Sequence, residues 1–359
     1  MFKRRFNRAV TLFLTGALAL SLLTGCGTSE SSSASPEAGE EPAVEAEESD
    51  DEAEEPDAEA EESGQSVRLN VGSLKGPTTM GLVNLMKASE TGEAAGSYSF
   101  TMETQPDVLM ASLVNGDLDI ALIPANMAAV AYKKTEGGIG VLDINTLGVL
   151  YAVTADETVT GVKDLAGRTV LMTGQGATPE YALNYLLARN GVTDCALDFR
   201  SEATEIAAVL SEDPMQVAIL PEPFVTVAEA QNDRLRTAFS LTDEWDLVSD
   251  GSKFLTGVTV VRREVLDSEP EAVKLFVEEQ KASAAKALED LEGTAQLIAE
   301  YGIIEKAPVA QKALPGCQIV CLTGEEMKTA LEGYLTVLFD SAPEAVGGAL
   351  PADDFYIVD

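Results

Sequence analysis

Two stretches of this chain have the composition of ligand-holding loops. Ser73-Leu74-Lys75-Gly76-Pro77-Thr78-Thr79 and Thr173-Gly174-Gln175-Gly176-Ala177-Thr178 each combine glycine, which lets a backbone come close to a bound group, with threonine hydroxyls and the unpaired N–H groups of a helix start. Such loops hold anionic or strongly polar groups without a charged side chain. Glycine, proline and threonine also serve as plain helix caps, so the argument for binding rests on the recurrence of the arrangement. Glu222, between Pro221 and Pro223, is a third candidate: it either pairs with a cationic or amino group of a ligand or is an exposed turn carboxylate held by nearby N–H groups. The chain has no histidine, which removes the commonest general base and metal ligand together. Neither a nucleophile paired with a base nor the spacing of a calcium loop is visible, and no cofactor or metal is implied. Tyr98, Tyr151, Tyr181, Phe224 and Trp245 could give a ligand an aromatic face or belong to the core, whereas Met80, Met86 and Met110 lie on apolar core stripes.

The elements that must carry these loops follow an α/β rhythm with mostly parallel strands. Val67 to Gly72 reads as a strand leading into the first loop, and Met80, Leu82, Val83, Leu85 and Met86 form a helical stripe running to Ser89. Strands at Tyr98 to Thr104 and Leu118 to Ile123 enclose a helix at Val108 to Val114, stopped by Asn115-Gly116-Asp117. Pro124-Ala125-Asn126 then opens another helix. Gly148 to Thr154 is β-rich and suits a connection between lobes, with hinges near Ala152 to Asp156 and Gly251 to Gly257. Thr169 to Met172, Ala196 to Arg200, Val217 to Leu220 and Leu235 to Phe239 alternate with helices as a second α/β unit. Thr256 to Val261 returns the chain to the first, followed by the helices Pro270 to Leu291, Thr294 to Tyr301 and Glu325 to Phe339.

Ahead of these elements, Lys3, Arg4, Arg5 and Arg8 precede an uncharged apolar run from Ala9 to Leu23, the layout of an export signal. At roughly 15 residues the run is short of the roughly 20 that span a bilayer. A Ser-, Ala-, Pro- and acid-rich stretch to Gly64 cannot bury enough surface to fold and reads as an extended tether. Three cysteines remain besides Cys26: Cys195, Cys317 and Cys321. Cys-Gln-Ile-Val-Cys resembles a strand, in which residues four apart lie about 13 Å from each other, beyond the roughly 7 Å limit for a disulfide, so free or buried thiols are expected. The formal net charge of −36 argues against nucleic acid and anionic lipid as partners.

Leu23-Thr24-Gly25-Cys26 resembles the bacterial lipobox, which implies that Cys26 is the lipid-attachment residue and mature N-terminus, with palmitate among its acyl groups. Together with Ser73 to Thr79, the segments Asn115 to Ala121, Val162-Lys163-Asp164-Leu165-Ala166-Gly167-Arg168-Thr169-Val170 and Pro221-Glu222-Pro223 resemble solute-binding proteins of ABC importers, in particular the nitrate, sulfonate, taurine and thiamine-precursor group. The resemblance implies an α/β, two-lobed periplasmic-binding-protein fold (type II-like) with two hinge crossings. It further implies an extracytoplasmic, lipid-anchored monomer that delivers a small polar or anionic organic molecule to an ABC permease. Carried over position by position, it assigns Lys75, Gly76, Thr78, Thr79 and Asn126 to the ligand from one lobe, and Gln175, Gly176, Ala177, Thr178 and Glu222 from the other. The segments expected are a signal peptide at 1–25, lipidated cysteine and tether at 26–64, first lobe at 65–152, second lobe at 153–255 and the return to the first at 256–359. Other outcomes are a sensory lipoprotein reporting ligand to a membrane receptor, or an enzyme of the small-acid dehydratase kind on the same fold.

Overall fold

The computed structural model describes residues 67–249 and 251–358, all within the unit Ser63–Asp359. The expected signal peptide, Cys26 and tether lie outside the described residues. In chain order the first elements are β1 (Arg68–Leu74), α1 (Pro77–Met80), α2 (Val83–Thr91), β2 (Ser97–Glu103), α3 (Pro106–Asn115), β3 (Ile120–Pro124), α4 (Ala125–Lys134) and β4 (Ile139–Leu147). Next come β5 (Leu150–Thr154), β6 (Thr169–Met172), α5 (Thr178–Arg189), β7 (Ala196–Phe199), α6 (Ala203–Glu212), β8 (Val217–Pro221), α7 (Phe224–Gln231), β9 (Arg236–Ser240) and α8 (Leu241–Asp246). The last are β10 (Leu255–Arg262), α9 (Arg263–Ser268), α10 (Pro270–Glu289), α11 (Leu291–Glu300), α12 (Ala307–Ala313), β11 (Ile319–Leu322) and α13 (Gly324–Ser341).

The strands form two sheets, a six-stranded one in the order β11-β4-β10-β3-β1-β2 and a five-stranded one in the order β7-β6-β8-β5-β9. Parallel pairing is less dominant than the sequence suggested. β1 runs parallel to β2 and β3, and β6 to β7 and β8, but β5 and β10 are antiparallel to both of their neighbours. These two are the strands by which the chain enters each sheet from the other, so their direction is reversed. Helices cover the sheets, and one continuous apolar cluster takes in Leu109 and Ile123 near the first sheet with Met172, Leu186 and Trp245 near the second. No helix among the described residues is long and apolar enough to cross a membrane.

Four details depart from the sequence reading. The stripe from Met80 to Ser89 is broken at Gly81 and Leu82, because the buried Ser283 side chain of α10 inserts there: its hydroxyl donates to the Gly81 carbonyl at 2.7 Å and accepts from the Leu85 amide at 3.1 Å. β4 carried no strand expectation, since Asp143, Asn145 and Thr146 interrupt its apolar residues, yet all three are buried. Ala152 and Val153 pair with both β8 and β9, which puts the first crossing at Gly148 and Val149, ahead of the expected hinge. Cys317 ends a short 3-10 turn, Leu314–Cys317, instead of opening a strand; it, Cys195 and Cys321 are free thiols.

Candidate functional site

β1 delivers the first loop. Gly76 adopts φ 142°, a left-handed-side conformation that favours glycine, and Pro77 supplies a pre-set φ at the first helical position. The loop's hydroxyls turn inward: Thr78 and Thr79 both donate to the Leu74 carbonyl, and Ser73 and Thr79 hydroxyls lie 2.7 Å apart. Lys75 is exposed. Thr78 also packs on β10, where a Cβ at Gly257 would lie 2.9 Å from its methyl and 2.5 Å from Asn145 Oδ1.

The two lobes meet at helix starts. Asn126, in the first turn of α4, accepts a 2.9 Å hydrogen bond at Oδ1 from the hydroxyl of Thr178, the first residue of α5, and its Nδ2 donates to the Ala345 carbonyl at 3.3 Å. Both side chains are buried. Tyr334 of α13 is fully buried, and its hydroxyl makes no hydrogen bond of ordinary geometry among the described residues, although the Thr178 hydroxyl lies close enough to act on it. Burial pushes that phenol up, with the Thr178 hydroxyl acting in the opposite direction. The rest of the second loop is outside this contact: Gln175 and Gly176 are exposed, Ala177 is half-buried, and the Gly176 amide donates to Glu180 Oε2 at 2.6 Å.

Glu222 follows β8 and is 8% exposed, so the reading as an exposed turn carboxylate is overturned. Its carboxylate accepts from the Thr226 hydroxyl at 2.9 Å and the Thr226 amide at 3.2 Å, capping the start of α7. No cation forms an ion pair with it among the described residues, and burial raises its pKa against the lowering effect of those two bonds. It abuts the turn before β11: a Cβ at Gly316 would lie 3.2 Å from Glu222 Oε1. The Tyr151 hydroxyl donates to the Gly316 carbonyl at 3.0 Å, again joining the two lobes. Beside this corner a cavity of about 260 Å³ opens between Pro223, Phe224 and Val227 on one side and Ile303, Lys306 and Val309 on the other.

Of the residues singled out in the sequence, Asn126 and Thr178 therefore touch, Glu222 is buried against the opposite lobe, and Thr78 and Thr79 brace their own loop. Lys75, Gln175 and Gly176 stand at the surface. Tyr151 is half-buried at the junction and Phe224 lines the cavity, while Tyr98 and Trp245 are core residues. Gly316 and Tyr334 escaped the sequence reading. Leu-Pro-Gly-Cys is a turn signal that could have drawn attention to Gly316, but Tyr334 sits on an ordinary apolar helix stripe.

Two α/β lobes joined by two crossings, with residues of both meeting across a buried junction, define the fold of the solute-binding proteins of ABC importers. A structure described as an ABC transporter from Parabacteroides distasonis is 25% identical, with a TM-score of 0.69 over 80% of this chain and 98% of that one. The periplasmic aliphatic sulphonate binding protein SsuA from Escherichia coli is 14% identical, with a TM-score of 0.65 over 80% and 95%. The periplasmic nitrate-binding protein NrtA from Synechocystis PCC 6803 is 14% identical, with a TM-score of 0.53 over 79% and 84%. Within this fold the chain belongs to the family described as menaquinone biosynthesis, whose model matches residues 77–314. No curated protein matches the chain.

Proposed function

We propose that the chain is an extracytoplasmic solute-binding lipoprotein, anchored as a monomer through Cys26, that captures one small polar organic molecule between its lobes and hands it to the permease of an ABC importer. The supporting observation is that the helix starts carrying Asn126 and Thr178 come from different lobes and meet in a buried hydrogen bond. Closure of this kind follows a ligand that binds the closed arrangement better than the open one. The electrostatics favour a neutral or amino-bearing ligand over an anion. On the second lobe, the Gly176 amide and the start of α7 are already taken by Glu180 and Glu222, so an anion would meet occupied donors and two carboxylates. Lys75 and Gln175 then stand at the entrance to the site, on loops whose shape Gly76, Thr78, Thr79 and Ala177 hold.

A second reading, an enzyme on the same fold, draws on the family's description and on Glu222, a buried carboxylate of raised pKa that has the environment of a general base. Native mass spectrometry on protein lacking residues 1–64 separates the two. A released small molecule of one mass that restores thermal stability when added back unchanged supports capture. A passenger converted to a new mass on re-addition overturns the transport reading in favour of catalysis, and a passenger that is a simple carboxylate or sulfonate overturns the charge preference alone.

A further inference from the structure

Between β4, β10 and α10 lies a polar cluster with no opening to solvent. Asp143 and Thr259 are 0% exposed and Gln280 is 2% exposed, with Asn145 and Thr146 beside them. Asp143 Oδ1 accepts from the Thr259 hydroxyl at 2.9 Å and from Gln280 Nε2 at 3.1 Å. Thr259 in turn accepts from Gln280 Nε2 at 2.9 Å and Asn145 Nδ2 at 3.2 Å, and Asn145 Oδ1 accepts from Thr146 at 2.8 Å. The Thr146 and Thr259 hydroxyls and both side-chain amide nitrogens thereby donate within the cluster. Two acceptors remain buried without a partner among the described residues, Asp143 Oδ2 and Gln280 Oε1. A carboxylate would keep both of these acceptors orphaned and add a buried charge; a carboxylic acid removes the charge and turns one of the orphaned acceptors into a donor.

The charged and titratable surroundings leave that choice to desolvation. β10 presents Thr259, β11 presents the Cys321 thiol, and α10 presents Gln280 with Lys281 beyond it, acting on Cys321. No lysine or arginine forms an ion pair with Asp143 among the described residues, and burial, opposed by the two hydrogen bonds, raises its carboxyl to about 7. Its position matters because β4 leads directly into the first crossing and β10 begins where the second one ends. Asp143 and Thr259 are register partners on these two strands.

We infer that Asp143 is held as a neutral acid and serves as a proton-operated clamp on the strand pair from which both lobe crossings spring. Neutral, it ties β4 and β10 to α10; ionised, it becomes a buried charge without a counterion at the base of the hinge. The clamp does not depend on what the cleft binds. Because the folded value lies above that of an unfolded aspartate, the stability it confers is complete below about pH 4 and is lost as pH rises towards about 7.

Thermal unfolding of wild type and Asp143→Asn across about pH 5 to 8 tests this, since the amide keeps a donor at Oδ2 and cannot ionise. The expected result is that the wild-type midpoint falls with pH relative to that of the variant by a few degrees. In aspartate-selective carbon-13 NMR of the wild type, one carboxyl carbon should titrate near neutrality. Parallel pH profiles overturn the inference. If the variant does not fold, the wild-type spectrum decides alone: an aspartate titrating near neutrality upholds the clamp, and a spectrum in which every aspartate titrates below about pH 5 overturns it.

Discussion

The Thr178 hydroxyl lies 2.9 Å from Asn126 Oδ1, so a helix start on one sheet is bonded to a helix start on the other inside a buried junction. Removing one partner leaves the other desolvated. Thr178→Val is therefore expected to weaken the closed arrangement by about 1–3 kcal/mol. Small-angle scattering should report a larger radius of gyration than wild type, and an unchanged radius together with unchanged ligand affinity would remove this bond from the closure mechanism.

Tyr334 predicts the opposite sign. Its hydroxyl is buried and makes no hydrogen bond of ordinary geometry among the described residues, so Tyr334→Phe should leave stability unchanged or raise it by up to about 1 kcal/mol in urea denaturation. A loss beyond that would mean that the hydroxyl has a partner in solution, and a loss of ligand affinity at unchanged stability would make the ligand that partner.

Glu222 is expected to behave as a buried acid. Its raised pKa means that the neutral form is the better tolerated one, so stability attributable to this group is present at low pH and declines as pH rises through its folded value. Glu222→Gln should equal or exceed wild type in stability at alkaline pH, with the difference closing as pH falls, in chemical unfolding at matched ionic strength. If the ligand carries an amino group, the same variant loses affinity for it.

Asp156 titrates with the contrary sign. Thr158, through its hydroxyl and amide, and the Arg168 guanidinium at 2.8 Å hold the carboxyl down to about 2. The stability it contributes is present above the unfolded aspartate value and is lost as pH falls through the folded one. Asp156→Asn should therefore be less stable than wild type at neutral pH, with the difference closing in acid unfolding as pH falls through the folded value.

How far these features were legible depends on how local their causes are. The strand before Ser73, the helix ended by Gly116 and the helix opened at Thr178 could be read because periodicity and cap chemistry act within a few residues. Both loops and Glu222 were visible for the same reason, as residue types at strand ends. What their side chains do was not visible. Thr79 turns back to Leu74, Glu180 occupies the Gly176 amide and Glu222 caps α7, and a sequence does not show which of several nearby donors a side chain will choose.

The sequence by itself determined the rhythm of strands and helices, the two candidate loops and the absence of histidine chemistry, because these depend on residue type and short-range spacing. Tertiary structure alone decided that β4 is a strand despite Asp143, Asn145 and Thr146, that Ser283 splits a helix 202 positions away at Gly81, and that Asn126 meets Thr178. The physical reason is the same in each case. A buried polar group is tolerable only when a partner from elsewhere in the chain satisfies it, and that partner is supplied by the fold.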